Sequence, residues 1–147
     1  MTEIAVTGAA GRMGREVLTA AADREGIDVA FAVNRSPVDE LISGVVVESS
    51  DNVAELLAEY EPDVVVDFTG PESARTYADA CADHGVALVT GTTGFDDEGV
   101  DALKTASEAA AVLKASNFSR GIAALRLAVQ EATAALPDAD IELTETH

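Results

Sequence analysis

The strongest chemical signal lies near the N-terminus, where Gly8-Ala9-Ala10-Gly11-Arg12-Met13-Gly14 places three glycines at G-x-x-G-x-x-G spacing. The segment follows an apolar strand-like run and opens an amphipathic stretch. Glycines there permit a tight turn and let the backbone approach a pyrophosphate. The start of the following helix offers N–H donors and the positive end of its dipole. The spacing departs from the commoner G-x-G-x-x-G. A turn of purely structural purpose is the blander reading, and the position at the end of a first strand favours the phosphate cradle.

The adenine ribose of a dinucleotide is read about 20 residues past such a turn. There the chain offers Ala32-Val33-Asn34-Arg35-Ser36. A carboxylate at this point would hold both ribose hydroxyls of NAD. Neutral Asn34 followed by Arg35 suits a 2′-phosphate instead, because a guanidinium matches phosphate by charge and by its fork of donors. NADPH is therefore the expected cofactor, with NADH as a possible second. A solvated loop charge is the alternative for Arg35. Three more segments close later strands: Asp67-Phe68-Thr69, Gly91-Thr92-Thr93-Gly94-Phe95 and Ala115-Ser116-Asn117-Phe118-Ser119. Polar and glycine-rich loops gathered at one sheet edge form a site for a ribose, a nicotinamide and a small anion. His84 and Cys81 need no such role. His84 precedes Gly85 at a helix end, where the dipole explains it, and Cys81 lies in an Ala-rich helix as a small buried thiol. No metal is expected.

The elements that must position these residues alternate. Strands are expected at 4–7, 27–33, 45–47, 64–68, 86–89, 111–114 and 141–146. Helices are expected at 12–24, 52–59 (capped by Asp51 or Ser50), 71–84, 97–110 and 121–136. Pro71 suits a first helical turn and Gly85 a helix end. Strands separated by single helices imply right-handed crossovers and a parallel sheet. The expected architecture is a Rossmann-type α/β fold, a doubly wound parallel sheet with helices on both faces.

Length and composition agree. The chain has 147 residues, 48% of them hydrophobic, which supports one folded domain with a real core. No apolar run approaches a membrane span, no signal-like segment precedes the first strand, and Cys81 has no cysteine to pair with, so a cytoplasmic location is expected. The formal net charge is −18, from 27 acidic and 9 basic residues. That field repels phosphate backbones and makes nucleic acid an unsuitable partner. Lys104 and Lys114 are the only lysines. An acidic, lysine-poor surface suits a high-salt cytoplasm.

The succession Gly-x-x-Gly-Arg-Met-Gly, Asp-Phe-Thr, Gly-Thr-Thr-Gly-Phe and Ala-x-Asn-Phe-Ser resembles the dihydrodipicolinate reductase family over essentially the whole chain. The resemblance implies that Gly8, Ala9, Ala10, Gly11, Arg12 and Met13 bind cofactor phosphates and that Asn34 and Arg35 read the adenosine ribose. It also implies that Gly91, Thr92 and Thr93 meet the nicotinamide half, with Ala115, Ser116, Asn117, Phe118 and Phe68 lining the same pocket. Thr93 and Gly94 are candidates for substrate contact. The family continues with Glu-x-His-His-x-x-Lys, so His147 matches its first catalytic histidine. The implied organisation is a dinucleotide-binding domain over 1–140 and the start of a substrate and oligomerisation domain at 141–147. The implied reaction is NADPH-dependent reduction of a cyclic dicarboxylate in lysine biosynthesis, by an enzyme that is a homotetramer once its second domain is present. By this reading the chain alone binds cofactor and turns over no substrate. A non-catalytic NAD(P)-binding or redox-sensing module is the alternative. Arg120, beside the last motif, has no reading beyond a surface charge.

The charge itself yields a prediction. At 0.01 M salt the Debye length is about 30 Å, so like charges repel across the whole domain. The thermal midpoint is expected to rise with KCl from low into molar concentrations. A flat or falling midpoint in a melting series would contradict the high-salt reading.

Overall fold

The computed structural model describes residues 1–36, 38–142 and 144. By its internal contacts the chain divides into Met1–Ser116 and Asn117–His147, which are described separately. In the first unit the β-branched runs form β1 (Thr2–Thr7), β2 (Ile27–Asn34), β3 (Val47–Ser49), β4 (Val64–Asp67), β5 (Ala87–Thr90) and β6 (Val112–Lys114). Between them lie α1 (Arg12–Ala22), α2 (Val53–Tyr60), α3 (Pro71–His84) and α4 (Asp97–Ala106). The strands pair in parallel in the order β3-β2-β1-β4-β5-β6. This is the Rossmann order, and the winding reverses between β1 and β4, where an open α/β sheet places its ligand crevice.

Alternate residues of each strand serve opposite faces. Ala5, Phe31, Val33, Val65 and Leu88 pack under α2, α3 and α4, against Leu57, Tyr77, Cys81 and Leu103. Ile4, Val6 and Ala32 face the other way, onto Leu18 and Ala21 of α1 and onto Ile42. Central β1 is covered on both sides, which is why its sequence reads as apolar without alternation. Gly14 lies in α1 where the helix rests on the backbone of Gly8 and Ala9.

Helix α3 starts with Pro71 at its first position and ends at Gly85, which takes a φ of 66°. The Val86 N–H returns to the Cys81 carbonyl at 2.9 Å, so the break between α3 and β5 is fixed by glycine geometry. Other boundaries differ from expectation for local reasons. The third strand is Val47–Ser49 rather than 45–47. Ile42 and Val45 exchange N–H···O bonds of 3.0 and 2.9 Å across Ser43 and Gly44, which uses the Val45 backbone before it can join the sheet. Helix α2 starts at Val53 after a 3-10 turn at Ser50–Asn52, and the capping oxygen is that of Ser49, which accepts the Asp51 N–H at 3.3 Å. Helix α4 stops at Ala106 rather than 110. The Glu108 and Ala109 N–H groups bond three residues back, and the Ser107 hydroxyl takes the Lys104 carbonyl at 2.6 Å, so the last turn tightens and ends.

The second unit carries α5 (Arg120–Ala135), capped by Ser119, whose hydroxyl accepts the Ile122 N–H. Ile122, Leu125 and Leu127 of this helix are exposed. The strand expected at 141–146 is not formed at Ile141, Glu142 or Thr144, and the rest of that segment, with His147, lies outside the described residues. No described helix is long and apolar enough to cross a membrane.

Cys81 is buried on the inner face of α3, and its thiol is pushed up to about 12 from a reference of 9.0, first by burial and then by the charge of Asp67. Only the thiolate reacts. The native chain is expected to resist an aromatic disulfide reagent at pH 8 and to react fully once denatured. The unfolded thiol ionises first, so Cys81 should lower stability as pH rises from 9 toward 12. A Cys81→Ala chain should show a shallower loss in urea titrations over that range.

Candidate functional site

The site is organised by a buried carboxylate. In register across the sheet, Thr7, Asp67 and Thr90 form one row at the ends of β1, β4 and β5. In-register residues of a parallel sheet point to the same face, so their side chains meet. All three are fully buried. Asp67 Oδ1 accepts the hydroxyls of Thr7 at 2.8 Å and Thr69 at 2.6 Å. Its Oδ2 accepts those of Thr90 at 2.6 Å and Thr92 at 2.8 Å. A carboxylate only accepts, so each hydroxyl donates its single proton to it, which leaves the lone pairs of Thr90 and Thr92 for backbone donors. Thr90 Oγ1 then accepts the Thr92 N–H at 3.1 Å, and Thr92 Oγ1 accepts the Thr69 N–H at 3.0 Å. Among the described residues no buried side-chain nitrogen or oxygen lacks a partner.

The glycine turn sits beside this row. Gly8 adopts a φ of 70°, and a Cβ there would lie 2.9 Å from the Phe68 carbonyl oxygen and 2.8 Å from Thr69 Cγ2. Both the backbone angle and the space therefore require glycine. The Gly11 N–H closes the turn on the Gly8 carbonyl at 2.9 Å, and the Ala9 N–H ties it to Val33 of β2 at 3.1 Å. No side chain caps α1 at Gly11, and its first turn holds no acidic residue. A helix start of this kind accepts an anion. Arg12 and Met13 are exposed on that turn, and Ala10 is half-buried.

Arg35 follows β2 and is exposed. Its Nη2 donates to the Ser73 hydroxyl in the first turn of α3 at 3.1 Å, while Asn34 Nδ2 donates to the Ser36 carbonyl at 3.0 Å. Gly8, Gly11, Asn34, Arg35 and Phe68 border one cavity of about 360 Å³, completed by Thr69, Gly70, Ser73 and Tyr77. A larger hollow of about 640 Å³ shares Arg35, Ser73 and Tyr77 but does not touch the glycine turn. Asp51 and Glu72 stand on its wall and make it the poorer place for an anion. The Tyr77 hydroxyl is held above its ordinary pKa, chiefly by burial, with Ser50 hydrogen bonding and Arg35 pulling the other way.

Gly91 lies against Phe68, whose ring occupies the space a Cβ would take. The Thr92 side chain is buried in the Asp67 network, so only its backbone can serve a ligand. Thr93 and Gly94 are exposed in the loop before α4. Phe95 stacks with the Lys114 ammonium at 5.5 Å. Ala115 joins β5 through its N–H to the Thr90 carbonyl at 3.1 Å, and Ser116 beside it is exposed. Asn117 and Phe118 belong to the second unit, where Asn117 Oδ1 accepts the Ser119 N–H at 2.6 Å. His147 lies outside the described residues.

Sequence reasoning missed Ser73, Tyr77 and the Thr7–Thr90 arm of the network. The signal for Ser73 was present, since Pro71 marks a helix start directly after a strand end. Among the described residues no group of three or more His, Cys, Asp or Glu side chains gathers to hold a metal.

Removing one side of a buried charged network costs about 3–5 kcal/mol. Asp67→Ala leaves the hydroxyls of Thr7, Thr69, Thr90 and Thr92 without their acceptor and should destabilise the chain by that amount in urea unfolding. A loss under about 1 kcal/mol would show that the network is incidental.

Comparison with known proteins gives a consistent picture. A family model described as "Dihydrodipicolinate reductase, N-terminus" matches residues 2–118. A 4-hydroxy-tetrahydrodipicolinate reductase of Haloarcula marismortui is 46% identical over 147 residues, 100% of this chain and 57% of the relative. One of Natronomonas pharaonis is 49% identical over 144 residues, 98% of this chain and 56% of the relative. This chain thus spans little more than half the length of these curated relatives. A dipicolinate-bound dihydrodipicolinate reductase from Paenisporosarcina sp. TG-14 superposes with a TM-score of 0.78 at 26% identity, covering 94% of this chain and 56% of that one. With the family model matched over residues 2–118, and relatives aligned over all or nearly all of this chain, the chain belongs to the dihydrodipicolinate reductase family.

Proposed function

We propose that this chain is the nucleotide-binding part of a 4-hydroxy-tetrahydrodipicolinate reductase, working in diaminopimelate and lysine biosynthesis, and that it binds NADPH in preference to NADH. The observation that carries the reading is the shared cavity of the glycine turn and Arg35, in a chain whose near relatives bear that enzyme's name. The residues fit such a cofactor. Gly8 and Gly11 put backbone without side chains on the wall of that cavity, and the uncapped start of α1 suits the charge of a pyrophosphate. Arg35 is anchored by neutral Ser73 rather than by a carboxylate, so its charge is available to a 2′-phosphate.

When bound, the reduced nicotinamide supplies a hydride to the cyclic substrate. The task of this chain's residues is to hold that ring in place and exclude water around it. Phe68 and the backbone of Gly91–Thr93 would flank the ring, with Ala115 and Ser116 past the end of β6, and Asn117 and Phe118 are proposed as further cofactor-binding residues. Thr93 and Gly94, exposed beside them, are proposed to meet the substrate, and His147 is proposed as a catalytic group. Residues 1–140 are read as the dinucleotide-binding domain and 141–147 as the start of the next. Similarity to the matching part of reductases across the length of this chain favours this reading over a redox-sensing module.

Calorimetric titration with NADPH and NADH tests the preference. Arg35→Ala should weaken NADPH by about 1.5–3 kcal/mol, toward the lower end because Arg35 is exposed, and leave NADH nearly unchanged. Equal losses for both cofactors would remove the 2′-phosphate role.

A further inference from the structure

Asp67 is a buried charge outside a ligand's reach, and the phosphate-binding argument does not use it. Its network extends past what the sheet needs. Thr7 and Thr90 are strand residues in register with it, but Thr69 and Thr92 lie beyond the strand ends, in the two loops that line the ligand edge. Apolar residues of similar volume would hold strands together without burying a charge. Orientation of the loops is what the carboxylate adds.

The geometry fixes two peptide planes. The Thr69 N–H is drawn inward to Thr92 Oγ1, and the Thr92 N–H to Thr90 Oγ1. No described peptide bond is cis, so the carbonyls of Phe68 and Gly91 point the opposite way from those N–H groups. The Phe68 carbonyl accordingly lies against Gly8, and the Phe68 ring lies over Gly91. One carboxylate thus sets the glycine turn, the Phe68 loop and the Gly91 loop relative to one another. It also leaves the Gly91 carbonyl turned out of the network, as an acceptor for a carboxamide N–H. The residues proposed for the adenosine half, Asn34 and Arg35, bond instead to Ser36 and Ser73, outside the network.

We infer that Asp67, acting through Thr90 and Thr92, is a positioning residue for the nicotinamide half of the cofactor and not for its adenosine half. This rests on the dinucleotide reading above. The test compares NADPH with 2′,5′-ADP, which carries the adenosine and 2′-phosphate alone, by calorimetry on the full chain. Thr90→Val removes one donor from Asp67 and the acceptor of the Thr92 N–H at nearly constant volume. NADPH should bind about tenfold more weakly, while 2′,5′-ADP changes by less than about twofold. Thr90→Ser, which keeps the hydroxyl, should restore NADPH affinity. If Thr90→Val does not fold, Thr92→Val, at the loop end of the same chain of bonds, is measured against Thr92→Ser with the same expectation. Equal weakening of both ligands, or unchanged NADPH affinity, would overturn the inference. Binding of neither ligand by the unaltered chain would overturn the dinucleotide reading together with it.

Discussion

A carboxylate sealed from water must be fully hydrogen bonded, and satisfying Asp67 constrains most of what surrounds it. Its partners come from β1, β4, β5 and the two loops past β4 and β5. They can converge only if the three strands are in the register that places Thr7, Asp67 and Thr90 in one row. A slip of one residue would turn the row to the opposite face and leave the charge without donors. The switch point of the winding is therefore held by polar geometry in addition to the apolar core on either side.

A second constraint is charge. With 27 acidic against 9 basic residues, the chain as a whole opposes any anionic ligand. The candidate site works against that background locally, with an uncapped helix start and an arginine bonded to a serine. The ion pairs among the described residues are exposed, such as Lys104 with Asp101 at 2.7 Å and Arg15 with Glu40 at 3.1 Å. Pairs of this kind add little to stability, least of all in salt. The folded state leans instead on its core and on the Asp67 network, which salt screens far less. The two curated relatives come from haloarchaea, in keeping with such an arrangement.

Much of this was legible in the sequence where local chemistry decides the outcome. The glycine turn, Pro71 and Gly85 each act within a few residues, and the start of α1 and both ends of α3 fell where expected. Legibility failed where contacts are made later or by unusual residues. The run Gly44-Val45-Val46-Val47 reads as one strand, yet the Ile42 to Val45 turn claims its first half. Alanines after Ala106 carry no stop signal. Glu61 ends α2 in a left-handed conformation, with a φ of 44°, that glycine or asparagine would have advertised. The Asp67 network was hidden for a different reason. Thr7, Asp67 and Thr90 each look like an ordinary polar residue closing a strand, and only the register shows that they face one another.

The strand order also dictates when the chain can finish folding. The first strand synthesised becomes the middle of the sheet, and its bond to Asp67 spans 60 residues. Every pairing within the sheet is parallel, so none can form as a local hairpin. While β1 and β2 alone exist, one edge of β1 stays open until β4 arrives, and closing so long a loop is slow. Asp67 gains nothing from partial assembly. With only some of its hydroxyls in place it is better left in water, and it becomes worth burying when β5 and its loop complete the set. Burial of Asp67 thus waits for the loop past β5, and a nascent chain that stops short of Thr92 has no stable way to bury its central charge.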